Sequence, residues 1–148
     1  NAMINRYDEP STPEEVKEVK DSVKILLVED YKHSQIIVTR LLKKNNFESI
    51  VVVENGLQAY EQVQEQHYDL ILMDMQMPVM NGFEATQKIR ELDDYRETPI
   101  IALTAFAMKG DREKCLEAGA TDYIPKPIDS QEFIEKVKYY TENKVTKK

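Results

Sequence analysis

The strongest constraint in this sequence is an alternation of two kinds of segment. Short apolar runs stand at Ile25-Leu26-Leu27-Val28, Ile50-Val51-Val52-Val53, Leu70-Ile71-Leu72-Met73 and Ile100-Ile101-Ala102-Leu103, with a weaker one at Tyr123-Ile124. They are near-continuous and rich in β-branched residues, as strands covered on both faces require. Longer amphipathic stretches separate them. Residues 32–45 put Ile37, Val38, Leu41 and Leu42 on one stripe. Leu57, Tyr60 and Val63 share a face of 56–66, and Phe83, Thr86, Ile89 and Leu92 share a face of 82–93. Phe133, Val137 and Tyr140 do so in 129–141, while 108–118 is the least regular stretch. Strand starts lie about 20 to 30 residues apart, the length of a strand plus a crossover helix. The expectation is an α/β domain: a five-stranded, mostly parallel, doubly wound sheet with helices on both faces.

Composition narrows the function. The chain has 148 residues, enough for one ordinary domain. Its 27 acidic and 20 basic residues give a net charge of −7, which disfavours direct nucleic-acid binding by bulk electrostatics. No apolar run reaches the roughly 20 residues of a membrane span, and no signal-peptide pattern appears. A lone Cys115 excludes an internal disulfide and a cysteine-based zinc site, so a cytoplasmic protein is expected. Residues 1–22 contain Pro10 and Pro13 and little apolar periodicity, so they read as a tag remnant and linker. Residues 23–141 form the expected domain, and 142–148 a tail.

In open α/β sheets, ligands bind beyond the carboxyl ends of the strands. The residues just past each run therefore matter most. Glu29 and Asp30 come after the first, Asp74 after the third, Thr104 after the fourth, and Lys126 after the fifth. The second leads into Glu54-Asn55-Gly56, with Asn55 placed to cap a helix. Any one acid at a strand end reads equally well as a cap or a solvated side chain. Together they place three carboxylates, a hydroxyl and an ammonium on one edge. Adjacent first and third strands would bring Glu29, Asp30 and Asp74 within reach of one ion. Oxygen-only donors favour a hard cation such as Mg2+.

These motifs carry a resemblance. The strings Val23-Lys24-Ile25-Leu26-Leu27-Val28-Glu29-Asp30, Leu72-Met73-Asp74-Met75-Gln76-Met77-Pro78-Val79-Met80-Asn81-Gly82, Ala102-Leu103-Thr104-Ala105 and Tyr123-Ile124-Pro125-Lys126-Pro127 resemble receiver domains of two-component response regulators. The likeness spans roughly 23–141 and is closest to receivers of hybrid sensor kinases and phosphorelays. It implies a CheY-like fold with strand order 2-1-3-4-5. It also implies that Asp74 accepts a phosphoryl group from a phosphohistidine of a histidine kinase or histidine phosphotransfer domain. Glu29, Asp30, Asp74 and the backbone carbonyl of Gln76 would hold Mg2+. Lys126 and Thr104 would bind phosphoryl oxygens, and Gly82 would free the backbone for a turn. Thr104 and Tyr123 would form the switch. Output, by self-association or effector binding, would use the face of the fourth helix, fifth strand and fifth helix.

Some positions depart from the commonest family pattern. The first acid is Glu29 rather than Asp, and His33 stands where kinase-linked receivers often carry Asn. Gln76 and Phe106 flank the expected path of an attacking water and would slow loss of the phosphoryl group. Gln76 also argues against a phosphohydrolase of the haloacid-dehalogenase type, which needs a second Asp at that position as general acid. A degenerate receiver that only binds proteins would be expected to lack Asp74, Thr104 or Lys126, and all three are present.

Overall fold

The computed structural model describes residues 23–77, 79–105 and 109–146. The strands are β1 (Lys24–Val28), β2 (Ser49–Val53), β3 (Leu70–Asp74), β4 (Ile100–Thr104) and β5 (Asp122–Pro125). The helices are α1 (Lys32–Lys44), α2 (Gly56–Glu65), α3 (Gly82–Arg90), α4 (Lys109–Ala118) and α5 (Ser130–Thr146). All strand pairs are parallel, in the order β2-β1-β3-β4-β5. This is the order the receiver resemblance implies.

Side chains alternate across the sheet with period two. Leu26, Val28, Ile71, Met73, Ile100 and Ala102 pack on one face, with Ala59, Val63, Ala85, Ile89 and Cys115 from α2, α3 and α4. Ile25, Leu27, Leu70, Leu72, Ile101, Leu103 and Ile124 pack on the other, with Val38, Leu42, Phe133 and Val137 from α1 and α5. Two covered faces are why the central runs are continuously apolar. The edge strands are less covered: β2 leaves Val52 exposed, and β5 buries only Ile124 fully. An edge strand lacks a neighbour on one side, so its residues stay partly open whatever their hydrophobicity.

Local signals set the helix ends. Asn55 accepts from the Gln58 N–H at 2.9 Å and caps α2; Asn81 accepts from the Glu84 N–H at 3.0 Å and caps α3. Asn46 adopts a φ of 73° and stops α1, with the Phe47 N–H bonded to the Leu42 carbonyl at 3.0 Å. Helix α3 ends at Arg90, earlier than the sequence pattern to 93 suggests, and a 3-10 turn (Asp93–Tyr95) comes next. Arg90 turns inward there. Its guanidinium donates to the carbonyls of Gly119, Tyr95 and Thr98 and to the Thr121 hydroxyl. It thereby ties α3 to the loop between α4 and β5. At the other end, α5 runs on to Thr146, so the stretch from 142 begins as helix. No Gly or Pro follows Tyr140, so nothing interrupts the helical ladder. The expected linker at 1–22 lies outside the described residues.

The connection after β3 is tightly held. Val79 carries its turn with a φ of 69°, unusual for a β-branched residue. The Met80 carbonyl accepts from the Gly56 N–H at 2.9 Å. Gly82 serves this turn by its size rather than by an unusual φ, which corrects the conformational role expected from sequence. A Cβ there would overlap the Asp74 carbonyl oxygen and stand 2.6 Å from Met75 Sδ. Gly82→Ala is therefore expected to destabilise the fold by about 1–3 kcal/mol, the cost of overfilling a packed site. Urea unfolding measures it, and an unchanged midpoint would contradict this packing.

Candidate functional site

Parallel pairing of β1 with both β2 and β3 brings the ends of β1 and β3 side by side, with Val28 opposite Met73. Glu29 and Asp74 are thus the next residues on neighbouring strands. Glu29, Asp30 and Asp74 each offer a carboxylate oxygen within 4.8 Å of the others. Glu29 and Asp74 are almost fully buried, at 1% and 2% exposure, while Asp30 faces solvent.

Among the described residues, one ammonium answers this charge. Lys126, carried by the end of β5, places Nζ 3.1 Å from Glu29 Oε1 and 3.4 Å from Asp74 Oδ1. Its backbone N–H bonds the Thr104 carbonyl at 2.8 Å, and the Lys126–Pro127 peptide bond is cis. The Glu29 carboxylate also accepts from the Tyr31 N–H at 3.2 Å, and the Gln35 amide donates to the Glu29 carbonyl at 2.6 Å. Asp74 Oδ1 accepts from the Gln76 N–H at 3.1 Å.

Burial pushes the Asp74 carboxyl up to about 7, and the neighbouring Glu29 carboxylate adds to the rise. The Gln76 N–H and Lys126 oppose it without cancelling it. Three acids facing one ammonium leave an excess of negative charge, which a divalent cation would balance. Every donor is oxygen, so the residues present fit a hard ion such as Mg2+. His33 is exposed on α1 beside Tyr31, and His67 pairs with Asp69 at 3.6 Å. Neither joins the cluster.

Thr104 is buried at the end of β4, and its hydroxyl accepts from the Gln76 side-chain amide at 3.2 Å. Strand pairing sets Asp74 opposite Leu103, so Thr104 lies one position beyond. Tyr123 stands further back, opposite Ala102. Its half-buried ring lies between Arg112, 5.7 Å from the ring centre, and Lys136, 5.5 Å away. Lys136 also bonds Asp122 at 3.2 Å and the Tyr123 carbonyl at 2.9 Å. Burial works against Asp122 ionising, but the Tyr123 N–H, Tyr140 and Lys136 hold its carboxyl below the ordinary value. Burial and the bond to Asp122 push the Tyr140 hydroxyl up to about 12.

The structure thus gathers Glu29, Asp30, Asp74, Thr104, Gln76 and Lys126 at one edge and sets Tyr123 behind them. Phe106 lies outside the described residues. Sequence reasoning missed the Gln35 contact to Glu29 and the reach of the Gln76 side chain to β4. Both depend on rotamers that no spacing rule encodes.

A family model for the response regulator receiver domain matches residues 25–138. The polar-differentiation response regulator DivK of Brucella anthropi is 40% identical over 116 residues, covering 78% of this chain and 94% of that protein. Among solved structures, the receiver domain of the sensor histidine kinase PA1611 from Pseudomonas aeruginosa was determined with a magnesium ion in its active-site cleft. It is 40% identical, with a TM-score of 0.75, and the match covers 80% of this chain and 97% of that one. The receiver domain of Ssk1 from Saccharomyces cerevisiae, crystallised with the histidine phosphotransfer protein Ypd1, is 30% identical with a TM-score of 0.73. That match covers 80% of this chain and 88% of the other. With the fold, the strand order and the acidic edge in place, these likenesses settle the assignment: the chain belongs to the response regulator receiver family.

Proposed function

We propose that this receiver accepts a phosphoryl group on Asp74 from a phosphohistidine of a histidine kinase or phosphotransfer domain, in a Mg2+-dependent reaction. The observation that carries this reading is the convergence of Glu29, Asp30 and Asp74 within 4.8 Å, with Lys126 3.4 Å from Asp74. An Asp74 oxygen attacks phosphorus; the O–P bond forms as the P–N bond breaks, and its electron pair returns to the imidazole nitrogen. Bound at Glu29, Asp30, Asp74 and the Gln76 carbonyl, Mg2+ would offset the repulsion between a carboxylate nucleophile and an anionic phosphoryl group. Lys126 draws on the same electrostatics: released from its contact with Asp74, its ammonium can hold a phosphoryl oxygen as a point charge. Thr104 supplies a hydroxyl donor to another oxygen.

The domain catalyses its own phosphorylation and slow dephosphorylation and turns over no separate substrate. The added charge on Asp74 draws Thr104 inward and moves Tyr123, which borders α4 and α5. Self-association or effector binding through α4, β5 and α5 then reads the change. No described helix is long and apolar enough to cross a membrane. The single buried thiol of Cys115 fits a cytoplasmic setting, where cysteines stay reduced.

Acetyl phosphate with Mg2+, followed by intact-mass analysis, is expected to add one labile phosphoryl group. Asp74→Asn abolishes it, and Lys126→Ala slows it by about 100-fold, the effect of removing one charge-stabilising donor. Labelling that persists in D74N would reject Asp74 as the acceptor. The raised Asp74 carboxyl gives a second expectation. Mg2+ needs the ionised form, so its affinity rises with pH through about 7 and levels off above. Calorimetry should find Mg2+ bound roughly tenfold more tightly at about pH 8 than at about pH 6, as metal competes with one proton. A pH-independent affinity would contradict the elevated carboxyl.

A further inference from the structure

The end of the β3–β4 ladder changes character at one residue. The Met75 N–H still bonds the Leu103 carbonyl at 3.0 Å, as a strand would. At Gln76 the side chain takes over. Its Oε1 accepts from the Ala105 N–H at 3.2 Å, and its Nε2 donates to Thr104 Oγ1 at 3.2 Å. The Ala105 N–H can only donate, so it fixes which way the amide faces. The Gln76 backbone N–H meanwhile holds Asp74 Oδ1. One residue therefore touches both the acceptor carboxylate and the end of the neighbouring strand.

Thr104 and Ala105 are also where oxygens of a phosphoryl group on Asp74 would seek donors, since both come directly after Leu103, the partner of Asp74 in register. The Gln76 side-chain Oε1 meets the Ala105 N–H much as a phosphoryl oxygen would, but without charge. Anionic oxygens are the stronger acceptors. We propose that the Gln76 side chain is an internal competitor for the phosphoryl group: a positioning residue whose Oε1 occupies the Ala105 N–H in the resting domain, held there by its Nε2 bond to Thr104 Oγ1, and which is displaced when the phosphoryl group arrives. There is room for it to move. A cavity of about 570 Å³ lined by Gln76, Met77, Asn81, Phe83, Asp111 and Lys114 adjoins it. Both side-chain bonds are at the long end of the usual range, so the amide biases the switch toward rest rather than locking it.

This inference rests on Asp74 being the phosphoacceptor, and its test separates the two. The probe is beryllofluoride at saturating Mg2+, titrated by calorimetry and amide NMR into the wild-type chain and its variants. Gln76→Ala should bind about fivefold more tightly, the fold-change of losing one modest competing hydrogen bond from the resting state. Its Ala105 amide proton should exchange faster in the unliganded protein. Gln76→Glu, which keeps acceptor oxygens but adds a negative charge, should bind more weakly than wild type. In a Thr104→Ala background the gain from Gln76→Ala should shrink to about twofold, because the amide has lost the Thr104 contact that holds it on the Ala105 N–H. Equal or weaker binding by Q76A would overturn the competitor role. Binding by none of the proteins, wild type included, would overturn the phosphoacceptor reading itself.

Discussion

Repulsion between carboxylates organises this domain's working edge. Glu29 and Asp74 are both buried, and Asp30 stands close by, with Lys126 the ammonium that reaches the buried pair. The arrangement is a direct consequence of strand order. Only when β1 lies beside β3 do residues 29 and 74 become neighbours. Only with β4 and β5 continuing the same sheet can Thr104 and Lys126 meet them. Burial strips water from the Asp74 carboxylate and leaves the repulsion from Glu29 unscreened, so Asp74 resists ionising. The same crowding makes the site receptive to a divalent cation.

The rest of the fold can be understood as what holds that edge in place. A sheet covered on both faces leaves the strand ends little freedom to spread. The turn after β3 is fixed from below by Gly82, whose missing Cβ lets the chain pass against Asp74 and Met75. It is fixed from the side by the bond between Gly56 and the Met80 carbonyl. On the far side, Arg90 gathers the Tyr95 and Thr98 carbonyls of the connection into β4 and the Gly119 carbonyl of the connection into β5, which anchors the loop leading toward Lys126. These contacts keep the acidic residues close despite their mutual repulsion.

Much of this is legible in the sequence. The period-two and period-3.6 patterns place the strands and helices, and the positions just past the strand ends hold Glu29, Asp30, Asp74, Thr104 and Lys126. The features that escape are set by rotamers and by contacts distant in sequence. The family resemblance points to the backbone carbonyl of Gln76 and to its side chain beside the water path, but not to the bonds its amide makes to Thr104 and Ala105. Arg90 reads as a basic residue near a helix end, yet its guanidinium turns inward and binds the carbonyls of the following connection. Gly82 is expected to matter for conformation and matters for space instead. Helix α5 outruns its apolar stripe because no Gly or Pro after Tyr140 interrupts its backbone ladder.

The electrostatic state of Asp74 connects fold to function, and it can be observed directly. Carbon-13 NMR of the Asp74 side-chain carboxyl, tracked against pH in metal-free protein, should give a midpoint at about 7. Saturating Mg2+ should move that midpoint far down, because the ion stabilises the carboxylate. A metal-free midpoint at about 4, the ordinary value for an aspartate, would contradict the buried repulsion on which the site depends.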